Sequence, residues 1–327
     1  MEQQLHLMEE VDFWTSRAIL TGADLDVFTH LDGEPLTAEQ VAVRIGSNPR
    51  ATDRLLDVLA ALGLLEKEKN LFSLSPKGRL LSSRRPETML PALLHYSDLW
   101  QSWSQLTTVV IEGKPAKRAD DEMSEKKRKA FIGAMDVVGR DLSIMIADAF
   151  DATPFKCLLD IGGGSGTYTV AFLRKNAHLK GVLFDLPPVI AIAREKLRAE
   201  RLSDRVSLVS GDYYRDTLPS GCDLALLFAI IHQNSSAENL DLFTKIYGAL
   251  DPGGALLIRD FVMDPSRIRP TRGALFALNM LVNTLGGDTY TFAQIREGLE
   301  KAGFVNVILL RAGDRQDGMV KAEKAKP

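Results

Sequence analysis

The sequence has two cysteines, no long apolar run and little net charge, and each shortage excludes a class of protein. We expect Cys157 and Cys222 to be small core side chains on buried strands, rather than redox or metal groups. No apolar run is long enough to cross a bilayer, and the first residues lack the basic and apolar regions of a signal peptide. A net charge of −3 gives no electrostatic reason to expect a nucleic-acid or anionic-membrane partner. These features predict a cytoplasmic globular protein.

The most informative stretch is residues 157–166, where a short apolar run ends in a carboxylate and then breaks into glycines. The run is typical of a buried parallel strand, because it is apolar without alternation and is bounded by turn residues. Glycines at 162, 163, 164 and 166 allow a tight turn and the close approach of a ligand. A helical composition follows from Thr167 to Asn176. The pattern predicts a nucleotide-type cofactor loop, with an ordinary tight turn as the alternative.

The residues missing around this loop narrow the choice of cofactor. A phosphate loop of the Walker type needs a lysine directly after the glycines, and none occurs before Lys175. The dinucleotide fingerprint needs a glycine where Thr167 stands. Asp160, beside the loop, would repel a pyrophosphate but suits a ligand with an ammonium or sulfonium charge. S-adenosylmethionine carries both charges.

Further acidic residues follow at the ends of the next strands. Asp185 ends a strand from 181 to 184, 25 positions after Asp160, where a carboxylate accepts hydrogen bonds from both ribose hydroxyls. A third strand at 206–209 leads to Gly211, Asp212 and Tyr213, a carboxylate and a ring suited to the adenine amino group and base. Strands at 224–228 and 255–259 complete a rhythm that predicts a doubly wound α/β sheet.

Together these motifs resemble the S-adenosylmethionine-dependent O-methyltransferases of the plant caffeate, bacterial hydroxyneurosporene and acetylserotonin type. The resemblance rests on residues 160–166, 185–187 and 211–213, on His232 after the fourth strand, and on the Asp-Pro-Gly-Gly stretch at 251–254. It implies a seven-stranded Rossmann-like methyltransferase sheet, preceded by a mostly helical winged-helix dimerisation domain. The implied boundaries are 1–104 and 105–327, with linking helices at about 91–150.

The N-terminal third supports the winged helix independently. We expect helices from about 5 to 31, a capping box at Thr37 and Gln40, and a second helix capped by Asn48. A hairpin at 64–74 follows. This order also occurs in transcription regulators. However, acidic residues interrupt the two arginines at 50 and 54, and DNA affinity rests mainly on phosphate neutralisation. We therefore predict a homodimer that binds no nucleic acid and no membrane.

The resemblance also implies the site residues. His232 would be the general base and Asp260 its orienting carboxylate, so no metal is expected. The residues predicted to bind the cofactor are Asp160, Gly162, Gly164, Gly166, Asp185, Leu186, Gly211, Asp212, Tyr213 and Phe228. The residues predicted to contact a flat, apolar, hydroxylated acceptor are Tyr96, Trp100, Phe131, Met135, Phe276, Asn279 and Met280.

The chain departs from the family pattern in three places. The family commonly shows His-Asp-Trp, whereas Gln233 and Asn234 follow His232 here. Thr289 stands where a second acidic partner is expected, and Phe228 stands where plant members often carry a lysine. The set of catalytic and cofactor-binding residues that the resemblance implies is therefore incomplete in this chain. Besides O-methylation, the sequence leaves open S-, N- or C-methylation by proximity, and a catalytically weak cofactor-binding or winged-helix regulatory protein.

Overall fold

A computed structural model describes residues 11–115 and 124–326. The predicted helix start at residues 5–10 and part of the charged segment before Ser124 lie outside the described residues. The chain divides into two compact units. One contains residues 11–101 and 124–137, and the other contains residues 102–115 and 138–326.

The first unit consists of short helices and a three-stranded sheet. Its elements are α1 (Trp14–Asp24), α2 (Val27–His30), β1 (Leu36–Thr37), α3 (Ala38–Ile45), α4 (Pro49–Ala61), β2 (Leu65–Glu68), β3 (Leu71–Leu74), α5 (Pro76–Arg79) and α6 (Leu90–Trp103). The sheet has the order β1-β3-β2, with both pairs antiparallel. Val27, Phe28, Leu56 and Leu59 lie at the centre of its core and are fully buried.

Local signals in the sequence fix where these helices begin. Thr37 and Gln40 exchange both bonds of a capping box at the start of α3. The Asn48 side chain accepts from the Ala51 N–H, and Pro49 occupies the first turn of α4. The predicted hairpin is present as β2 and β3. The two-residue strand β1, which pairs with β3, was not predicted.

The second unit is built on a seven-stranded sheet. Its elements are α7 (Leu106–Glu112), α8 (Glu125–Ala149, which begins in the first unit), β4 (Cys157–Ile161), α9 (Thr167–Lys175), β5 (Lys180–Asp185), α10 (Pro187–Ala199), β6 (Val206–Ser210), β7 (Cys222–Phe228), α11 (Ser236–Ala249), β8 (Leu250–Asp260), β9 (Val262–Met263), α12 (Thr271–Asn283), β10 (Tyr290–Thr291), α13 (Phe292–Lys301), β11 (Val305–Arg311) and β12 (Gly318–Glu323).

The sheet has the order β11-β12-β8-β7-β4-β5-β6, and only β12 runs antiparallel to its neighbours. This confirms the predicted seven-stranded doubly wound sheet. An apolar core lies on each face, one against α11 and α13 and the other against α9 and α10. Strand order reverses between β4 and β7, where open α/β sheets bind their ligands.

The two cysteines differ from the expectation. They lie on the neighbouring strands β4 and β7, and the structure joins them in a disulfide. The prediction of two separate core side chains was therefore wrong about their pairing, although Cys222 is buried.

Among the described helices, none combines the length and apolarity needed to cross a membrane. The cytoplasmic location stays a prediction of the sequence.

Candidate active site

Asp160 lies at the carboxyl end of β4 and is buried. Its Oδ2 accepts a hydrogen bond from the Thr169 hydroxyl at 2.5 Å. The pKa of Asp160 is raised to about 6, mainly by burial and also by the nearby Asp185 charge, which together outweigh the lowering effects of the Thr169 hydrogen bonds and of Arg259. A carboxyl group in this state favours a positively charged partner.

The glycine loop continues from β4 and leaves room for a ligand. Gly162 has φ +66°, and a Cβ there would lie 2.6 Å from Ile230 Cδ1, so a side chain at this position would be strained and would displace Ile230. A Cβ on Gly164 would meet no atom within 4 Å, so the space beside it is open. Gly166, also with positive φ, precedes α9 as its N-cap. The turn thus presents backbone at the start of a helix, as predicted.

Asp185 ends β5 beside the same loop. Its carboxylate accepts from the Gly164 N–H at 2.8 Å and from the Leu186 N–H at 2.7 Å. Burial raises its pKa despite these two bonds. The bonds fix the orientation of the carboxylate and tie the second strand end to the glycine loop.

The third predicted segment follows β6. The Gly211 N–H donates to the Asp185 carbonyl at 3.0 Å, and a Cβ on Gly211 would lie 2.5 Å from the Phe184 ring. Asp212 is half-buried and accepts from the Tyr214 N–H at 2.9 Å. Tyr213 is half-buried, with its ring centroid 4.5 Å from that of Tyr214. The carboxyl ends of β4, β5 and β6 therefore carry the three acidic residues on adjacent strands.

His232 and Asp260 form a buried pair. His232 lies in a short 3-10 turn after β7, and Asp260 ends the neighbouring strand β8. His232 Nδ1 is 2.7 Å from Asp260 Oδ2 and 3.0 Å from Oδ1. Burial alone would raise the pKa of Asp260, but the His232 ring, Arg259 and the Phe261 N–H outweigh it and lower that pKa.

This geometry assigns the tautomer of the histidine. Because the Asp260 carboxylate accepts from Nδ1, the neutral ring carries its proton there and leaves Nε2 as the basic nitrogen. Within residues 11–115 and 124–326, Nε2 makes no hydrogen bond. The Phe276 ring packs edge-on to the imidazole at a centroid distance of 4.9 Å.

The loop before β10 holds the backbone of His232. The Asp288 N–H donates to the His232 carbonyl at 3.0 Å, and a Cβ on Gly287 would lie 2.5 Å from that oxygen. The Asp288 carboxylate pairs with Arg267 at 2.8 Å. Thr289 is buried, and its hydroxyl is 3.4 Å from the Gly273 carbonyl. Among the described residues, Thr289 makes no hydrogen bond to His232.

Three residues of this site were missed by sequence reasoning. Gln316, in the loop between β11 and β12, places Nε2 at 3.2 Å from Asp260 Oδ1. Arg259 is buried, with its guanidinium 4.9 Å from the centroid of the Tyr168 ring. The Tyr168 ring in turn packs edge-on to Phe228, with centroids 4.9 Å apart. Of these, only Tyr168 had a possible signal, its place directly after the glycine loop.

The residues predicted to contact the acceptor are divided between the two units. In the second unit, Phe276 contacts His232, Asn279 Oδ1 accepts from the Trp103 indole N–H at 2.8 Å, and Met280 is buried. The first unit holds Tyr96, Trp100, Phe131 and Met135. There Tyr96 is exposed and Met135 is 37% exposed. Trp100 packs against Phe13, and Phe131 packs against His95.

No group of three or more His, Cys, Asp or Glu side chains within the described residues is arranged to hold a metal ion.

Comparison with known proteins decides the family. The sequence model of the O-methyltransferase domain matches residues 112–305, and that of the O-methyltransferase dimerisation domain matches residues 6–84. The chain belongs to the O-methyltransferase family. Its cofactor is S-adenosylmethionine.

Individual relatives cover nearly the whole chain. The tetracenomycin polyketide synthesis 8-O-methyltransferase TcmO of Streptomyces glaucescens is 33% identical over 90% of this chain and 89% of its own. The 3-hydroxy-5-methyl-1-naphthoate 3-O-methyltransferase of Streptomyces sahachiroi is 28% identical over 95% and 92%. The solved structure of the N,N-8-amino-8-demethyl-D-riboflavin dimethyltransferase RosA of Streptomyces davawensis matches with a TM-score of 0.83 and 28% identity, covering 100% of both chains.

The strand-end residues of this methyltransferase fit S-adenosylmethionine. The open space beside Gly164 admits a ligand to the backbone, and the pKa values of Asp160 and Asp185 are both raised. Buried carboxyl groups at two adjacent strand ends are of the chemical type that suits an ammonium group and a pair of ribose hydroxyls.

Proposed function

We propose that this enzyme methylates a hydroxyl group on a small aromatic or polyketide-like molecule, with His232 as the general base. The observation that carries the proposal is the buried hydrogen bond from His232 Nδ1 to Asp260 at 2.7 Å. That bond leaves Nε2 unprotonated and open to a proton from the acceptor.

The cofactor residues follow the same strand ends. We propose that Asp160 takes the ammonium group, Asp185 the ribose hydroxyls, and Asp212 with Tyr213 the adenine. Backbone and side chains at Gly162, Gly164, Gly166, Leu186, Gly211 and Phe228 would complete the site. When bound, S-adenosylmethionine supplies a methyl group on a positively charged sulfur, which leaves without further activation.

His232 and Asp260 supply the proton chemistry. His232 Nε2 accepts the hydroxyl proton of the acceptor, so that the acceptor oxygen becomes a nucleophile. The imidazolium that forms lies beside the buried Asp260 carboxylate, which stabilises its charge. Phe276 packs edge-on against the imidazole, and this contact opposes rotation of the ring. Orientation and proton removal are the two tasks that this reaction leaves to the protein.

The acceptor class rests on the relatives and on the residues near the base. TcmO and the naphthoate enzyme are named for O-methylation of a polyketide and of a naphthoate. Phe276 and Met280 offer an apolar ring and a thioether on α12, which suit a flat molecule. The roles of Tyr96, Trp100, Phe131 and Met135 stay predictions from the sequence resemblance.

N-methylation is the second candidate, because RosA is named as a dimethyltransferase of an amino-flavin. An amine nucleophile has its own lone pair and depends less on a base before it attacks.

We also propose that the enzyme is a homodimer through its first unit. The match to the dimerisation domain covers residues 6–84. In the same unit the apolar side chains of Trp14 and Val43 are 75% and 82% exposed, so both are available to a partner surface.

The test is a methyl-transfer assay with isotope-labelled S-adenosylmethionine and a panel of phenols, naphthols, aromatic amines and thiols. Mass spectrometry of the products identifies the methylated atom. We expect label on oxygen in a phenol or naphthol. Label on nitrogen or sulfur alone would overturn the proposed acceptor class.

A further inference from the structure

Thr289 stands where the sequence resemblance implies a second acidic partner, and within the described residues its side chain makes no hydrogen bond to His232 or Asp260. Thr289 is buried and its hydroxyl donates to the Gly273 carbonyl at 3.4 Å. The Asp260 carboxylate nevertheless has more than one donor. Besides His232, it accepts from the Phe261 N–H at 2.8 Å.

A third donor to Asp260 comes from the loop between β11 and β12. Gln316 Nε2 is 3.2 Å from Asp260 Oδ1 and 3.3 Å from His232 Nδ1. Because Nδ1 already carries the proton that it gives to Asp260, the amide cannot donate to that nitrogen. The amide hydrogen therefore goes to the carboxylate oxygen, and Gln316 completes a set of three donors around Asp260.

The loop that carries Gln316 is held firmly for this contact. Gln316 has φ +61°, a left-handed conformation that is unfavourable for a residue with a Cβ. Its carbonyl accepts from Arg259 Nη1 at 3.2 Å, and Arg259 is only 5% exposed. The next residue, Asp317, is buried and accepts from Arg311 Nε at 2.7 Å. Such a backbone persists only where surrounding contacts determine it.

We propose that Gln316 is a positioning residue for the base, supplying from the β11–β12 loop the second partner that Thr289 does not provide. This inference rests on the proposed role of His232. The amide fixes the plane of the Asp260 carboxylate toward Nδ1. Its hydrogen bond also stabilises the negative charge of the carboxylate. Asp260 therefore stabilises the protonated His232 ring less strongly than it would without this donor.

Other charged groups near the pair already have partners. Asp288, whose N–H bonds to the His232 carbonyl, has its carboxylate on Arg267. Arg259 is adjacent to Asp260 in sequence, and its guanidinium stacks on Tyr168. Gln316 is thus the neutral side chain whose change most directly alters the surroundings of the pair.

The primary test is an NMR titration of the His232 ring in histidine-labelled enzyme, which needs no acceptor. The chain has five histidines, and the spectrum of His232→Ala assigns the signal. Gln316→Glu keeps the side-chain shape but adds a negative charge, and Gln316→Met keeps the length but removes the donor. Both retain the same backbone demand as glutamine. Asp314→Asn, an exposed change in the same loop, is the matched control.

We expect the titration midpoint of His232 to rise by about one pH unit in Gln316→Glu. It should rise by less in Gln316→Met, because Asp260 then binds the ring proton more strongly. Asp314→Asn should leave it unchanged. With the best naphthol of the acceptor panel, Gln316→Met should also lower kcat about tenfold. Affinity for S-adenosylmethionine and the melting temperature should stay near the wild-type values.

An unmoved midpoint in both Gln316 variants would overturn the proposal, whatever the effect on turnover or melting. Loss of melting temperature without a shift of the midpoint would make Gln316 a structural residue only. If His232→Ala keeps full turnover, the base itself is refuted, while the midpoints still decide whether Gln316 acts on His232. The two failures can therefore be told apart.

Discussion

At the scale of single residues, the proposed role of Asp160 makes cofactor binding depend on the protonation of its carboxyl group. Burial raises its pKa to about 6, so much of the free enzyme at mildly acidic pH carries a neutral carboxyl group. An α-amino group of ordinary pKa, about 7.7–8.0, stays protonated over that range. In the proposed role of Asp160 only the carboxylate form attracts the ammonium group, so that role links cofactor binding to deprotonation of Asp160.

We therefore predict that affinity for S-adenosylmethionine is constant above about pH 7 and falls about tenfold per pH unit well below pH 6. Calorimetry between pH 5 and pH 8 measures it. Asp160→Asn should bind more weakly at neutral pH and lose this dependence. An equal slope in the Asn variant would assign the titration to another group, such as Asp185, whose pKa is also raised by burial.

At the scale of elements, Gly162 in the turn between β4 and α9 is subject to two constraints, backbone strain and a close side-chain contact. Alanine substitutions at Gly162 and at two glycines elsewhere in the second unit can separate them. Gly162 has both a positive φ and a close contact with Ile230. Gly221 has a positive φ of 86° and open space around it. Gly181 has an ordinary φ, and a Cβ there would lie 3.5 Å from its nearest neighbour, Thr169 Cγ2.

We predict that Gly162→Ala has the lowest melting temperature of the three, because left-handed strain of about 1–2 kcal/mol adds to overpacking of about 1–3 kcal/mol. Gly221→Ala should show the strain alone, and Gly181→Ala should melt near the wild-type temperature. Only Gly162→Ala should lose affinity for the cofactor. A Gly162→Ala enzyme that melts and binds normally would mean that the loop tolerates a side chain.

The sequence predicted the elements whose signals are local. Buried parallel strands appear as apolar runs, and the side chains at their ends belong to one sheet edge because parallel strands share that edge. The placement of Asp160, Asp185 and His232 at this edge could be predicted for this reason. Capping residues such as Thr37 and Asn48 likewise act on backbone groups only three residues away.

The contacts that the sequence did not predict join elements far apart in the chain. Gln316 meets Asp260 across 56 positions, and a glutamine in a polar loop carries no periodic or turn signal. The burial of Arg259 could not be predicted for a different reason. A charged residue at the end of an apolar strand needs a partner when it is buried, and the Tyr168 ring that its guanidinium contacts is far away in the sequence. The disulfide between Cys157 and Cys222 depends on which strands are neighbours, and the prediction did not use that relation.

At the scale of the whole molecule, we predict a homodimer that forms through the first unit. Light scattering should give twice the chain mass of 36.0 kDa at micromolar concentration. Val43→Asp places a charge on an exposed apolar position of that unit and should weaken the dimer, because the interface would bury an unpaired charge. Ile308→Asp, on the exposed strand β11, is the matched control and should not.

A monomer at that concentration would refute the dimer. Dissociation by Ile308→Asp but not by Val43→Asp would move the interface to the second unit.

The measurement that tests the central claim most directly is the pH–rate profile of His232→Ala beside that of the wild type, with cofactor affinity measured on both. The account predicts turnover lower by about 10²–10⁴-fold, loss of the acidic limb of the profile, and nearly unchanged affinity for S-adenosylmethionine. Asp260→Asn should lose less, because it disturbs the orientation of the ring without removing it. If His232→Ala retains most of the activity and the acidic limb, His232 is not the base, and the reaction proceeds by proximity alone or with another proton acceptor.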